Sequence, residues 1–361
     1  MIELNNYNVV DYIPTDENKK HIEEIVDFLN YRNIPFELDS NIYGLFYLNN
    51  GTLQLRYINS CYYPMDNSKR FGDKCKGVYH NYFIDISHKN HDKGIRTIWI
   101  FDFEMRQMNT IVDDNGNIIE NYRRQWEVIK NTICTATGHI DNRIYARDCE
   151  IREITNKDAR MFLETNCFYG YRSASVTMGL FLKKDKCGMK KDTMLMIYSF
   201  GANFYGNKNY QDKPKIEIIR VSTKIGCQVI GGMSKCLKHF LTNYPTMKVG
   251  EREIEVDRLV FYVDASHNDS RGMQASGLDF NFVSWEGTGF MNYFCEDCCV
   301  TIEKNGKKQI LQGKKGEVFH RKPMFHSAIM KLIEEGKIIS VANAGTIVFD
   351  MTRKEFLSRF E

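Results

Sequence analysis

The sequence lacks any apolar run near the length of a membrane-spanning helix, which takes about 18 residues. Its first residues, MIELNNYNVVDYIP, also lack the apolar stretch of a secretory signal. Proline is rare, with six residues in 361, and neither sign of charge dominates, since the formal net charge is +3. These absences exclude a histone-like polycation, and they lead us to expect a cytoplasmic protein without a membrane partner.

The eleven cysteines are scattered along the chain, so we expect free thiols in a reducing compartment. Cys295, Cys298 and Cys299 form one C-x-x-C-C cluster. A structural zinc site usually needs two such pairs, and the sequence has no second C-x-x-C. We therefore predict no zinc site there. With 43% hydrophobic and 26% charged residues, the chain is long enough for two domains with cores of their own.

The stretch Ile218–Leu241 carries the clearest functional pattern. A β-branched run leads to the pair Gly231-Gly232, after which apolar residues recur at helical spacing. The pattern predicts a strand, a glycine turn and an amphipathic helix, whose first N–H groups and dipole suit a phosphate. Glycines at such a corner can instead serve close packing alone. The candidate cofactor-binding residues are Gln228, Val229, Gly231, Gly232, Ser234 and Lys235.

Elements of the first half follow from periodicity and turn signals. His21–Tyr31 has the spacing of a helix, and so has Gln125–Ala136. Two strand patterns, Ile42–Leu48 and Thr52–Ile58, flank the turn Asn49-Asn50-Gly51 and predict a hairpin. Ile95–Phe101 is a further strand. Basic and aromatic residues alternate across 69–93, as in a DNA-binding surface or a polar loop over a small core.

KGIRTIWIFDFE (Lys93–Glu104) and RIYARDCEIREI (Arg143–Ile154) resemble segments of the Hef-like, or EDxHD, phage homing endonucleases. The resemblance implies a very-short-patch-repair-endonuclease-like domain at 1–140, DNA as a partner and, if the chain is phage-encoded, the host cytoplasm. The family's catalytic Asp, Glu and His positions fall here on Leu45, Arg56 and Tyr63. Hard divalent cations need carboxylate oxygens. We therefore predict a degraded site without a metal.

The resemblance continues in a second domain, at 141–355, which is similar to GNAT-type acyltransferases and to Mom-type phage proteins that modify DNA bases. It is carried by FLETNCFYG (Phe162–Gly170), LMIYSFG (Leu195–Gly201) and EIIRVSTKIGCQVIGGMSKCLKHFL (Glu217–Leu241). It implies an α/β (α+β) fold and an acyl-CoA or similar acyl donor at the glycine turn. Gln228 and Gly231 fit the Q/R-x-x-G-x-G/A donor loop, with Met233 in the last position.

The candidate catalytic residues follow the strand Arg258–Val263. Asp264 can orient an amine or act as a general base, and His267 can shuttle a proton. Tyr262 lies on the same strand face as Asp264. Each has a structural alternative: an Asx-turn for Asp264, core packing for Tyr262 and a solvated loop for His267.

Three functions remain open from the sequence. The first is acyl transfer to a nucleobase amine by a DNA-binding protein with a degraded nuclease domain. The second is an active homing endonuclease with relocated acidic residues such as Asp85 and Glu104. The third is a non-enzymatic module that binds DNA or protein. Two further hairpins are predicted, at Val300–Leu311 and at Ile338–Phe349. The sequence does not fix the oligomeric state.

Overall fold

The computed structural model describes residues 13–75, 77–112, 118–203, 215–249, 251–269, 271, 278, 280–287, 289–304, 307–320 and 325–358. The described residues form both helices and strands, in agreement with the predicted α/β (α+β) class. The helices are α1 (Asp16–Tyr31), α2 (Ser68–Phe71), α3 (Tyr82–Asp92), α4 (Asp102–Arg106), α5 (Arg124–Thr137), α6 (Asn156–Asn166), α7 (Gly232–Asn243), α8 (His326–Glu334) and α9 (Arg353–Leu357).

The strands include those predicted at Ile42–Leu48, Thr52–Ile58 and Ile95–Phe101, with ends that differ by up to three residues, and several that the sequence does not predict. They are β1 (Phe36–Leu38), β2 (Leu45–Leu48), β3 (Leu53–Ile58), β4 (Arg96–Phe101), β5 (Asn109–Val112), β6 (Ile118–Tyr122), β7 (Asn142–Tyr145), β8 (Cys149–Glu153), β9 (Val176–Leu182), β10 (Met194–Asn203), β11 (Lys215–Thr223), β12 (Cys227–Ile230), β13 (Thr246–Val249), β14 (Arg252–Glu255), β15 (Arg258–Asp264), β16 (Asn281–Glu286), β17 (Phe290–Phe294), β18 (Cys298–Lys304), β19 (Lys307–Gly313), β20 (Val318–His320), β21 (Ile338–Ala342) and β22 (Thr346–Thr352).

The chain divides into two compact units, each built from separated segments. Unit 1 contains 1–107, 264–269 and 286–346, and unit 2 contains 108–263, 270–285 and 347–361. This division differs from the predicted boundary at residue 140. Helix α5 lies in unit 2 because Asn131 accepts a hydrogen bond from Gly226 N, at 2.8 Å. Residues 286–346 lie in unit 1, where Arg106 donates to Tyr293 Oη at 3.1 Å.

A four-stranded sheet, in the order β1-β2-β3-β4, forms the first part of unit 1. The predicted hairpin is confirmed: β2 and β3 are antiparallel, and Leu45 pairs with Arg56. Strand β4 then adds to β3 in parallel, after the α3 crossover. Helix α1 begins at a capping box formed by Thr15 and Asn18, and it buries Ile25 and Leu29.

Two smaller sheets complete unit 1. One has the order β20-β17-β21, and the other is the hairpin β18-β19. This hairpin confirms the strands predicted at Val300–Leu311, while its turn residues 305 and 306 lie outside the described residues. Met65 N donates to Ser340 O at 2.7 Å and so connects β21 to the N-terminal segment of the unit.

Unit 2 is built on a seven-stranded sheet in the order β16-β22-β15-β11-β10-β9-β8. Neighbours from β8 to β11 are antiparallel, whereas β11 and β15 are parallel. The parallel pairing covers only Ile216–Ile218 against Leu259–Phe261, although β11 continues to Thr223. Over these described residues, β11 and β15 therefore separate after Ile218.

The core of unit 2 lies between this sheet and α7. Cys236, Leu237, Phe240 and Leu241 of α7 are buried, and Phe240 stacks on Phe200 of β10 with ring centroids 3.7 Å apart. Phe162 and Leu163 of α6 form a separate hydrophobic cluster with Ile197 of β10. Burial of such aromatic side chains contributes most of the packing free energy of a small core. Helices α7 and α6 therefore each pack against the sheet through a separate hydrophobic cluster.

The predicted closing hairpin at Ile338–Phe349 is wrong. Strand β21 pairs with β17, whereas β22 belongs to the seven-stranded sheet beside β15. The segment between β21 and β22 does not form a hairpin turn. Its main-chain donors bond to other parts of the chain: Ala344 N donates to Ser266 Oγ, and Asn343 N donates to Gly289 O. The segment Met273–Leu278 lies outside the described residues except for Leu278. Among the helices described, none combines the length and apolarity needed to cross a bilayer.

Candidate functional site

The glycine turn of unit 2 links β12 to α7. Strand β12 pairs in parallel with β7, and Gly231 then adopts φ +74° as the N-cap of α7. No side chain caps this helix, and no acidic residue lies in its first turn. The helix therefore begins with main-chain N–H groups and a positive dipole end without a carboxylate in its own first turn, which is the arrangement that suits an anion.

Glycine is required at the two positions of the turn for different physical reasons. Gly231 supplies the left-handed backbone, and a Cβ there would meet only Ala146 Cβ at 3.8 Å. Gly232 is buried, and a Cβ there would lie 2.7 Å from Met196 Sδ. Close packing thus accounts for Gly232, whereas Gly231 is required by the turn itself.

The remaining predicted cofactor-binding residues differ in their contacts and therefore in their ability to bind a phosphate. Lys235 directs its ammonium to protein, since Nζ donates to Ala146 O at 2.8 Å and to Cys149 O. Val229 packs against the hydrophobic core. Gln228 and Ser234 are half-buried beside the turn. Lys235 therefore fixes α7 to the segment before β8, and the N–H groups of the turn carry the main potential for binding phosphate.

In unit 1, Asp264 and His267 are brought together, and Glu104 joins them. His267 Nδ1 lies 3.4 Å from Asp264 Oδ2, and His267 Nε2 lies 3.4 Å from Glu104 Oε1. Each carboxylate has a main-chain donor as well: Phe101 N at 2.9 Å for Glu104 and Ser266 N at 2.8 Å for Asp264. Glu104 is 2% exposed, so this is a buried charge cluster.

The electrostatics of this cluster hold His267 in its charged form. Burial by itself lowers the pKa of His267, but attraction to Glu104 and the hydrogen bond to Asp264 raise that pKa to about 10. Burial raises the pKa of the Glu104 carboxyl, and His267 opposes that rise. The two acidic side chains, each 3.4 Å from the ring, therefore favour the imidazolium form of His267, and a ring that is already protonated does not accept a proton as a general base would.

Tyr262 lies in unit 2, on β15, and its side chain is 42% exposed. It is the first β15 residue after Phe261, where the pairing with β11 ends. The alternative of a core tyrosine is thus excluded by its exposure. This exposed residue therefore lies at the point where the two central strands separate.

The positions of the family's nuclease residues hold an apolar and aromatic cluster. Leu45 is 1% exposed and pairs across the hairpin with Arg56. The Arg56 guanidinium lies 5.6 Å from the Trp99 ring centroid, and its Nε donates to Gln54. Tyr63 is buried against Phe83, whose ring in turn contacts Trp99. These side chains offer no carboxylate oxygen to a divalent cation.

The residue types that bind metals and the cysteine thiols do not form a site in the described part of the chain. No group of three or more His, Cys, Asp or Glu residues there has an arrangement that could hold a metal ion. All eleven cysteines are free thiols. Burial raises the pKa of Cys295 to about 11, which disfavours the reactive thiolate at neutral pH.

The comparisons with known proteins give no family assignment. No protein-family model matches the chain, and no curated protein matches it. The function therefore has to be inferred from the residues and the geometry described above.

Two features of the structure were not predicted from the sequence. One is Glu104 as the partner of His267, because the two residues come from distant parts of the chain. The other is Arg220 on β11, whose Nε donates to Gly170 O at 3.0 Å. In the sequence Arg220 stands within a β-branched strand pattern, and that pattern does not identify its partner.

Proposed function

We propose that unit 2 is a GNAT-type N-acyltransferase domain, which binds a phosphate-bearing acyl donor such as acyl-CoA at the Gly231 turn. The acceptor in this proposal is an exocyclic amine of a DNA base. The observation that carries the proposal is the short parallel pairing of β11 with β15, followed by their separation on the chain segment that leads to Gly231 and α7.

The separated strands supply a binding edge for an extended ligand. Beyond Ile218, β11 keeps its hydrogen bonds with β10, while its other edge is no longer paired with β15. Free main-chain N–H and C=O groups on a strand edge bind an extended chain that carries amides. The pantetheine arm of coenzyme A is such a chain, and its pyrophosphate suits the uncapped start of α7.

The reaction would be a direct acyl transfer. The amine nitrogen attacks the thioester carbonyl carbon, the C–N bond forms, the C–S bond breaks, and coenzyme A leaves as a thiolate. The amine loses a proton and the thiolate gains one. In our proposal the Tyr262 hydroxyl donates its proton to the thiolate, and the phenolate that remains takes up the proton released by the amine. Tyr262 is an exposed residue and lies just beyond the last β15 residue that pairs with β11.

His267 and Asp264 have another role in this proposal. They belong to the buried cluster of unit 1, where their charges are engaged with each other and with Glu104. We therefore assign them to stability instead of proton transfer. Unit 1 contributes DNA binding, and its resemblance to homing endonucleases supports that role while the residues at its former metal positions argue against cleavage.

The experiment is an acyl-transfer assay with the full chain. A panel of isotope-labelled acyl-CoA donors is incubated with single- and double-stranded DNA, and the nucleosides are analysed by mass spectrometry after digestion. Labelled N-acyl nucleosides are the expected product. DNA binding without any labelled nucleoside or released coenzyme A, across the panel, would favour the non-enzymatic binding module.

A further inference from the structure

Unit 2 contains a second site, on the loop that follows α6. Within the three residues Tyr169–Tyr171, two tyrosine rings each have an arginine guanidinium above them. The Arg220 guanidinium lies 5.8 Å from the Tyr169 ring centroid, and the Arg160 guanidinium lies 4.5 Å from the Tyr171 ring centroid. Tyr169 is 44% exposed. Aromatic rings beside arginines are the usual elements that stack nucleic acid bases and contact their phosphates.

The loop is held in place by the buried Arg124 and the half-buried Glu164, so the rings are pre-positioned. Glu164 accepts a hydrogen bond from Tyr171 N at 3.2 Å and forms an ion pair with Arg124. Gly170 has φ +64°, and a Cβ there would lie 3.0 Å from the Arg124 guanidinium. Because the backbone is fixed in this way, ligand binding would cost little additional ordering of the loop.

Arg220 is held by main-chain carbonyls, and within the described part of the chain no carboxylate forms an ion pair with it. It donates to two main-chain carbonyls, Gly170 O and Ile219 O, and it is in none of the ion pairs among the described residues. Glu217, the nearest acidic residue on the strand, is instead paired with Arg172 at 3.5 Å. A half-buried guanidinium without a carboxylate is stabilised by an anionic ligand.

The neighbour of Arg220 points to the same kind of ligand. Ser199 lies directly opposite Arg220 on β10, so the two side chains project from the same face of the sheet. Ser199 is 1% exposed, and its hydroxyl has no hydrogen-bond partner among the described residues. A phosphate near the guanidinium would offer an acceptor for such a donor.

The loop is connected to the strand segment that leads to the Gly231 turn. Asn166, at the end of α6, accepts a hydrogen bond from Ile225 N at 2.9 Å, and its carbonyl accepts one from Ser222. Arg220 itself lies two residues beyond Ile218, where β11 and β15 separate. The loop and the proposed donor site are thus both anchored on β11.

We propose that Tyr169 and Arg220 bind a base and its phosphate of a single-stranded DNA segment, and so form the acceptor side of the transferase. The assignment as an acceptor site rests on the proposed acyltransferase function, whereas the binding itself does not. The probe is a fluorescein-labelled 12-nucleotide single strand of mixed sequence, titrated with the full chain and followed by anisotropy.

Tyr169→Ala should weaken binding of the strand by roughly 5- to 150-fold, the effect of one lost base–aromatic stack. Tyr169→Phe keeps the ring and should bind as the unchanged protein does. Tyr145→Ala is the matched control, because Tyr145 is 46% exposed under the Arg147 guanidinium at 4.9 Å. It should leave the affinity unchanged. Equal affinities for Tyr169→Ala and Tyr145→Ala would overturn the proposal.

Arg220→Gln tests the phosphate contact separately. It should reduce the slope of log affinity against log salt by about 0.7, the contribution of one phosphate on a single strand. An unchanged slope, with a thermal unfolding midpoint showing that the variant is folded, would overturn the role of Arg220. If Arg220→Gln does not fold, Tyr169→Ala still tests the site, because it keeps the hydrogen bond from Arg220 to Gly170 O.

The donor is tested in a separate measurement. Acyl-CoA should raise the unfolding temperature of Tyr169→Ala as much as that of the unchanged protein. Loss of that shift in Tyr169→Ala would mean that Tyr169 binds the nucleotide of the donor, and the acceptor assignment would be overturned. Tyr169-dependent strand binding without any acyl-CoA shift in the unchanged protein would refute the transferase function and leave the DNA site standing.

Discussion

Leu45 and Arg56 lie directly opposite each other in the antiparallel pair of β2 and β3. In the alignment with homing endonucleases that the sequence suggests, these two positions correspond to carboxylates. Here one side chain is buried and apolar, and the other is a cation stacked beside Trp99. The same hairpin geometry that would bring two metal ligands together instead brings together a hydrocarbon and a positive charge, which repels a divalent cation.

We predict that the protein does not cleave DNA in the presence of Mg²⁺ or Mn²⁺. In a supercoiled plasmid assay, the full chain should give no nicked or linear product above a buffer control. Cleavage that disappears in Asp85→Asn or Glu104→Gln would contradict this prediction and would favour an endonuclease with relocated acidic residues.

His267→Gln should destabilise unit 1 in a pH-dependent manner. The variant leaves Glu104 buried without its cation, which costs about 3–5 kcal/mol when a buried pair loses one partner. The pKa of His267 is raised to about 10 in the folded protein, against about 6.5 in an unfolded chain. Its contribution to stability is therefore complete below pH 6.5 and decreases as the pH rises towards 10.

The measurement is the free energy of unfolding by urea between pH 6 and pH 10. The difference between the unchanged protein and His267→Gln should be largest at pH 6 and should shrink at each higher pH. His326→Gln, which removes an exposed imidazole from unit 1, serves as the control and should show no such trend. A difference that is constant with pH would mean that His267 is not held as an imidazolium.

Tyr262→Phe should lower the rate of acyl transfer without weakening donor binding. Loss of a general acid costs roughly 10²- to 10⁴-fold in kcat. The thermal shift produced by acyl-CoA should stay the same, because the variant removes only a hydroxyl. Tyr145→Phe removes the hydroxyl of another exposed tyrosine of unit 2 and should keep full activity. An unchanged kcat in Tyr262→Phe would refute its role as proton donor.

Gly231→Ala should reduce both stability and donor binding. Its φ of +74° costs an alanine about 1–2 kcal/mol, and the added methyl would stand at the start of α7. Gly188→Ala is the matched control, since Gly188 has φ +73° with nothing within 4 Å of an added Cβ. The two variants should lose similar stability in urea unfolding, but only Gly231→Ala should lose the acyl-CoA shift. If acyl-CoA raised the unfolding temperature of both variants equally, the turn would not be part of the donor site.

Much of the local structure follows directly from the sequence. Asn49-Asn50-Gly51 fixes the register of the β2–β3 hairpin, because Asn49, Asn50 and Gly51 all adopt positive φ. The strand pattern Thr52–Ile58 agrees with β3 at Leu53–Ile58 to within one residue. The tail was predicted less well, because local pattern identifies β21 and β22 as strands but contains no information on which distant strand each one joins.

The candidate site could be predicted only where its residues are neighbours in sequence. The turn from Gly231 into α7 is local, and glycine, periodicity and the helix start are all visible in the sequence. The partners of His267 and Arg220 depend on tertiary contacts. Glu104 reaches His267 from α4, and Gly170 reaches Arg220 from the loop after α6. No spacing rule relates such residues before the chain has folded.

Binding of acyl-CoA to the full chain is the most direct test of the account. Because a ligand that binds only the folded state stabilises it by mass action, acyl-CoA at a hundred times its Kd should add about 2.7 kcal/mol to the free energy of unfolding. We expect a concentration-dependent rise in unfolding temperature with acyl-CoA that Gly231→Ala reduces and Gly188→Ala retains. An unfolding temperature that does not change with any acyl-CoA, up to millimolar concentration, would contradict the proposed donor site.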